Sequence, residues 1–261
     1  AFYARSEFDI TPPTDDRPFF FHFFRWDQTP DVLENLGRRW QPFGGSGYFV
    51  LLALLAFAVV AAVAFVLAPV ALARRFRASL GEVGAGRAAR TLVYFTALGL
   101  AFLLVEIALV QRAILVLGQP ALALAAVIGG VLLASGIGSL ASSRMPWRAS
   151  LAAAVALAAL GALTSGAVAQ ALLGQSLPVR LIGVTAAIAP LAVFMGVPFA
   201  RGIAALGAHP AMVPWAWAAN GSASVIAGVL AVLLSLSFGL GAVLWVGAGF
   251  YAVALLTAPR A

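Results

Sequence analysis

The chain has 261 residues, 63% of them hydrophobic and only 10% charged, whereas an ordinary soluble domain carries about 25% charged residues. That composition excludes a water-soluble globule, and the lack of cysteine excludes a disulfide framework, a thiol nucleophile and any thiolate metal site. The net charge of +7 comes from sixteen arginines and no lysine; most sit between apolar blocks, which points to membrane orientation or anionic headgroups and away from nucleic acid.

The opening Ala1-Phe2-Tyr3-Ala4-Arg5-Ser6-Glu7 has neither an initiator Met nor a signal-peptide pattern and reads like the interior of a longer chain. Residues 1–46 hold seven of the nine carboxylates, Glu7, Asp9, Asp15, Asp16, Asp27, Asp31 and Glu34, leaving Glu82 and Glu106 elsewhere. Within them lies Phe19-Phe20-Phe21-His22-Phe23-Phe24-Arg25-Trp26, and aromatics beside charge favour the membrane–water interface. This stretch is expected to be an extramembrane, interfacial segment that leads into the first span.

The apolar blocks predict seven transmembrane helices. The first runs uncharged from Tyr48 to Ala73, bent or ended near Pro69, and is closed by Arg74, Arg75 and Arg77. The second covers Thr91 to Leu117 and carries Glu106 and Arg112; Gln119-Pro120 turns the chain into a third that ends near Ser143. A basic loop of Arg144, Pro146, Trp147 and Arg148 precedes the fourth, Leu151 to Leu173. Arg180 opens the fifth, in which Pro190 and Gly196-Val197-Pro198 predict a kink or early exit. Arg201, His209, Pro210 and Pro214 are placed in the next loop, Trp215-Ala216-Trp217 starts the sixth span, and the seventh follows Phe238-Gly239-Leu240-Gly241 as far as Thr257. The expected fold is an all-α membrane protein: a bundle of about seven helices over 47–261, with the extramembrane segment over 1–46.

Orientation follows from the arginines. Arg74, Arg75, Arg77, Arg87, Arg90, Arg144, Arg148, Arg201 and Arg260 flank one side of the spans, while Arg112 and Arg180 lie near the loops of the other. Cytoplasmic loops carry the excess of Arg and Lys, which predicts a cytoplasmic C-terminus with residues 1–46 outside. Arg38 and Arg39 argue the other way.

Three polar residues form the candidate intramembrane site: Glu106, Arg112 and Asn220. An ionised carboxylate inside a span is costly unless paired, solvated or protonated, so Glu106 is either a proton, cation or amine site or a polar lock between helices. Arg112 follows it by six residues and faces another way, because helix neighbours are three or four apart; it is expected either to snorkel to the interface or to meet a contact from another helix. Asn220 sits among small residues that allow close helix approach and either meets Glu106 across the bundle or makes an interhelical hydrogen bond. Gly130, Ala134 and Gly138 recur at four-residue spacing as a packing stripe. His22 and His209 lack partners at metal-ligand spacing, and no phosphate-cradling glycine loop joins a strand to a helix. No metal, cofactor or nucleic-acid site is expected, and the residues contain no recognisable catalytic domain.

Thr14-Asp15-Asp16-Arg17-Pro18-Phe19-Phe20-Phe21 resembles the segment that follows the catalytic domain in bacterial membrane-bound proteins of the spermidine-synthase-like family. Tyr94-Phe95, the run from Gly99 to Arg112, Ser135-Gly136-Ile137-Gly138-Ser139, and Trp215-Ala216-Trp217 with Asn220-Gly221 resemble that family's membrane region, in the same order. The resemblance implies an enzyme-like domain of aminopropyltransferase or methyltransferase fold ahead of this chain, with the chain as its membrane portion, serving it as an anchor or passing it a small amine or lipid-soluble substrate. Its glycine-rich cofactor loop and catalytic carboxylates have no counterpart here, so polyamine synthesis is not assigned to these residues. The arginine-based orientation puts residues 1–46 outside, at odds with an ordinary cytoplasmic synthase upstream. Two other functions stay open: a structural subunit of a larger membrane complex and a small-molecule transporter-like bundle.

Overall fold

A computed structural model describes residues 9–20, 23–34, 46–64, 68 and 84–259. After a short helix, α1 (Thr29–Glu34), come α2 (Ser46–Ala62), α3 (Ala85–Leu117), α4 (Pro120–Ala141), α5 (Trp147–Leu173), α6 (Leu177–Ala205), α7 (Val213–Phe238) and α8 (Leu240–Thr257). Helices α3 to α8 are long and apolar enough to cross a membrane, and the protein is an integral membrane helical bundle. Helix α2 is apolar over 17 residues; most of the remainder of its expected span, to Ala73, lies outside the described residues, as do His22, Arg38, Arg39, Arg74, Arg75, Arg77, Glu82 and Arg260. Without water in the hydrocarbon, helix is the way for each such block to satisfy its own backbone.

The helix ends carry the expected punctuation. Pro120, Pro178 and Pro214 stand in the first turns of α4, α6 and α7, where their missing N–H groups lose nothing. Gly118 ends α3 in the left-handed region at φ 70°. Two boundaries differ from expectation. Helix α6 neither exits nor breaks at Pro198 but continues to Ala205, so Arg201 stands on a helix and not in a loop; packed neighbours make such prolines tolerable in a membrane helix. Trp147 and Arg148 likewise belong to α5 rather than to the loop before it.

Helix α3 is the axis of the bundle: 56% of its most apolar stretch is buried inside the protein, against 17% for α5. It packs against α7, α8, α5, α6 and α4. The main core joins Tyr94, Phe95, Leu104 and Val105 of α3 to Leu151 of α5, Met195 of α6, and Leu244 and Tyr251 of α8. Close approach is bought with glycine. A Cβ on Gly138 would run into the Val193 backbone and one on Gly196 into the Ser135 backbone, so α4 and α6 touch main chain to main chain. Gly138 is the last residue of the predicted packing stripe. Helix α2 leans on α7 through Tyr48 and Leu233, joined by Phe24 of the N-terminal segment. Phe24 packs at a tilt and Trp26 edge-on against Tyr48, with ring centroids 5.2 and 5.0 Å apart, and Tyr48 Oη lies 2.5 Å from Ser237 Oγ. The aromatic segment thus adjoins the first helix, where an interfacial belt belongs.

Candidate functional site

The three sequence candidates do not converge. Asn220 Nδ2 donates to the Phe95 carbonyl at 3.1 Å, and Gly99, one turn on, lies against the Asn220 carbonyl with no room for a side chain. Asn220 is therefore a polar lock between α7 and α3. Phe95 and Glu106 are eleven residues apart on α3, about 16 Å along the axis, so Asn220 does not meet Glu106.

Glu106 is half-buried midway along α3 and has no hydrogen-bond or ion-pair partner among the described residues. On α8, Tyr251 is fully enclosed, and its Oη has no hydrogen-bond partner among the described residues. Val105, beside Glu106, packs on Gly247, which brings α3 and α8 together at this level.

Arg112 does what neither of the other two does: it reaches out of its own helix into a network. Its guanidinium reaches the end of α3 as a snorkelling side chain would, but it is buried there, 8% exposed, beneath the N-terminal segment. Nη1 donates to the Asp15 carbonyl at 3.2 Å, and Nη2 forms an ion pair with the Asp16 carboxylate. Asp16 Oδ1 also accepts the Gly241 N–H at 2.8 Å, while its carbonyl accepts the Leu240 N–H at 2.8 Å. Next to it, Arg17 Nη2 donates to the Leu236 carbonyl at 3.1 Å.

The physical sense of this pattern lies in the helix ends it touches. Asp16 sits on the N-terminus of α8, where free N–H groups and the positive end of the helix dipole attract a carboxylate; Arg17 sits on the C-terminus of α7, where free carbonyls attract a cation. Adjacent residues of opposite charge thus cap the two facing ends of one helical hairpin. The turn between those ends needs Gly239, at φ 91°, where a Cβ would strike Asp16. The clamp is held in shape by its own short turn: Arg17 N–H donates to the Thr14 carbonyl at 2.9 Å and to Thr14 Oγ1 at 3.1 Å. Asp9 lies 3.6 Å from Arg17. Burial pushes the Asp9 carboxyl up, but hydrogen bonds from Thr11 and the charges of Arg17 and Arg25 outweigh it and hold the group below its ordinary value.

Asp15, Asp16, Arg17 and Gly239 were not among the candidate site residues. The usable signal was arithmetic: Arg112 needs an anion, residues 1–46 hold most of the anions, and the Gly239-Leu240-Gly241 turn offers a helix start with no capping side chain of its own.

Arg112 also borders a cavity of about 340 Å³ between α3, α5 and α6, lined mainly by apolar side chains. Two of its polar atoms, Arg112 Nε and Ser165 Oγ, are buried without a hydrogen-bond partner among the described residues. Among the described residues no group of three or more His, Cys, Asp or Glu side chains is placed to hold a metal ion. Comparison with protein-family models, curated protein sequences and solved structures gave no match.

Proposed function

We propose that this chain is the membrane module of a spermidine-synthase-like protein, anchoring and orienting an enzyme-like domain attached ahead of residue 1. The observation that carries this reading is the Asp16–Arg17 clamp. A passive tether needs only to be connected, whereas residues 14–17 are fixed to α3, α7 and α8 at once. Anything joined rigidly to that segment takes its position from the bundle. The same residues belong to the stretch that resembles the junction between the two parts of that family's proteins.

The location that goes with this reading is a bacterial inner membrane with the end of α8 cytoplasmic. Arg87, Arg90, Arg144, Arg148 and Arg201 all fall at the bundle end away from Asp16, by the alternation of the helices that carry them, and Arg excess favours the cytoplasmic side. The clamped segment then faces outward, and the attached domain works at the outer face.

The test is to isolate the intact protein from its native membrane and to identify its N-terminus and co-purifying chains by mass spectrometry. An extension with a nucleotide-binding fold ahead of residue 1 supports the module. A start near Ala1 with stoichiometric partner proteins overturns it in favour of a structural subunit.

A second reading, a small-molecule transporter-like bundle, draws on the apolar cavity and its two unpartnered polar atoms, Arg112 Nε and Ser165 Oγ. Ser165→Leu separates the two readings. It leaves an anchor's function intact and abolishes one that depends on a ligand entering that cavity.

A further inference from the structure

At the bundle end away from Asp16, a cavity of about 830 Å³ opens between the start of α3, the end of α6 and the link to α7. Four of its described lining residues are basic or imidazole side chains, Arg87, Arg90, Arg201 and His209, and none is a carboxylate. Trp147 forms part of the wall.

The arginines differ in what they already hold. Arg90 is committed to the end of α8: Nε donates to the Thr257 carbonyl at 3.0 Å, and Nη2 to those of Leu256 and Ala258 at 3.0 and 3.1 Å, a cation on a helix C-terminus. Arg201 has no such engagement among the described residues, and its Nε is buried without a hydrogen-bond partner among them. The Arg87 guanidinium, exposed at the cavity, likewise has no partner among the described residues. Two guanidinium groups with uncommitted donors therefore face one concave space, beside a third that keeps the local potential positive.

Like charges drawn together at the edge of a low-dielectric bundle repel, and a buried unsatisfied donor is costly. One ligand chemistry relieves both: an anion with several acceptor oxygens, for which the planar fork of Arg is suited, as it binds phosphate through paired N–H donors. Position narrows the choice further. The cavity lies at the ends of membrane-spanning helices with Trp147 in its wall, and Trp marks the level of lipid headgroups.

We infer that the cavity between Arg87, Arg90 and Arg201 is a phosphate-binding site, filled by the headgroup phosphate of an anionic lipid or by a soluble phosphate ester. The site is independent of the Asp16 clamp and of any attached domain.

Arginine labelling by phenylglyoxal, read residue by residue by mass spectrometry, tests this on the full chain. The protein is stripped of lipid and compared in phosphatidylcholine nanodiscs, in the same discs with phosphatidylglycerol, and in detergent with inorganic phosphate. Labelling of Arg87 and Arg201 is expected to slow about tenfold at ligand levels ten times the dissociation constant, while exposed Arg148 is unaffected. Protection by phosphatidylglycerol alone identifies a lipid headgroup; protection by inorganic phosphate as well identifies a soluble phosphate source. No protection in either arm, or equal protection of Arg148, overturns the site. Arg201→Gln should abolish ligand protection of Arg87, and protection that persists in a folded Arg201→Gln protein also overturns it. If that variant does not fold, the wild-type labelling decides alone.

Discussion

The Asp16 carboxylate meets the Arg112 guanidinium across 96 residues of sequence, at the point where the N-terminal segment crosses the end of α3. Breaking a buried ion pair by removing one partner costs about 3–5 kcal/mol. Here the Asp16 side chain is 45% exposed, and solvent screening brings the expectation for Asp16→Ala to about 2 kcal/mol. Amides of residues 9–20 and the Gly241 amide should lose protection from hydrogen exchange together. Asp16→Asn keeps an acceptor for Gly241 and should retain part of that protection. Unchanged exchange in Asp16→Ala would show that the segment is held by something else.

Helices α4 and α6 should be intolerant of a side chain at either glycine of their contact. Gly196→Val and Gly138→Val each force Cβ into a facing main chain and should lower stability by about 1–3 kcal/mol. Gly136→Ala, with nothing within 4 Å of its Cβ, is the control and should be neutral. Thermal unfolding of the three variants in one detergent checks the contrast.

Acid should loosen the segment through Asp9. Its carboxyl is held below the ordinary value when folded, so the stabilisation is complete above the unfolded pKa of about 4 and is lost as pH falls through the folded one. The protection factor of the Thr11 amide, whose residue donates to Asp9 Oδ1 through N–H and hydroxyl at 3.2 and 2.6 Å, should hold at pH 6 and fall as pH drops below about 4. Asp9→Asn should remove that pH dependence. A transition centred well above pH 4 would rule out Asp9 as its source.

Glu106→Gln should fold at least as stably as the natural chain. No charged partner is lost among the described residues, and the cost of a carboxylate inside a membrane helix is relieved. A drop of more than about 1 kcal/mol in detergent unfolding would reveal a partner that the carboxylate needs. If stability holds but activity or flux disappears, Glu106 acts as a proton or cation group.

What was legible in the sequence was whatever depends on neighbours along the chain. Uncharged runs such as Leu151 to Leu173 declare helices because the bilayer leaves the backbone no other economy, and Gln119-Pro120 marked its turn for local reasons. The site was less legible. Asn220 found its partner in the Phe95 carbonyl, and a backbone acceptor has no sequence signature. The clamp joins residues more than two hundred positions apart, so neither charge spacing nor periodicity relates Asp16 to Gly241. Pro198 misled for the opposite reason: it is a local breaker whose effect is decided by the helices around it.

The docking of Asp16 and Arg17 also bears on the order in which the protein is made. Their acceptor and donor groups, the Leu236 carbonyl and the Gly241 N–H, lie 219 and 225 residues later in the chain. A ribosome delivers the segment well before its seat. Until α7 and α8 have entered the membrane, Asp16 can hold Arg112 but not the hairpin, and Arg17 has no helix end to cap. In a nascent chain halted before Gly241 the segment has its contact with α3 but not those with the hairpin, and the clamp closes only once the start of α8 has joined α3 and α7.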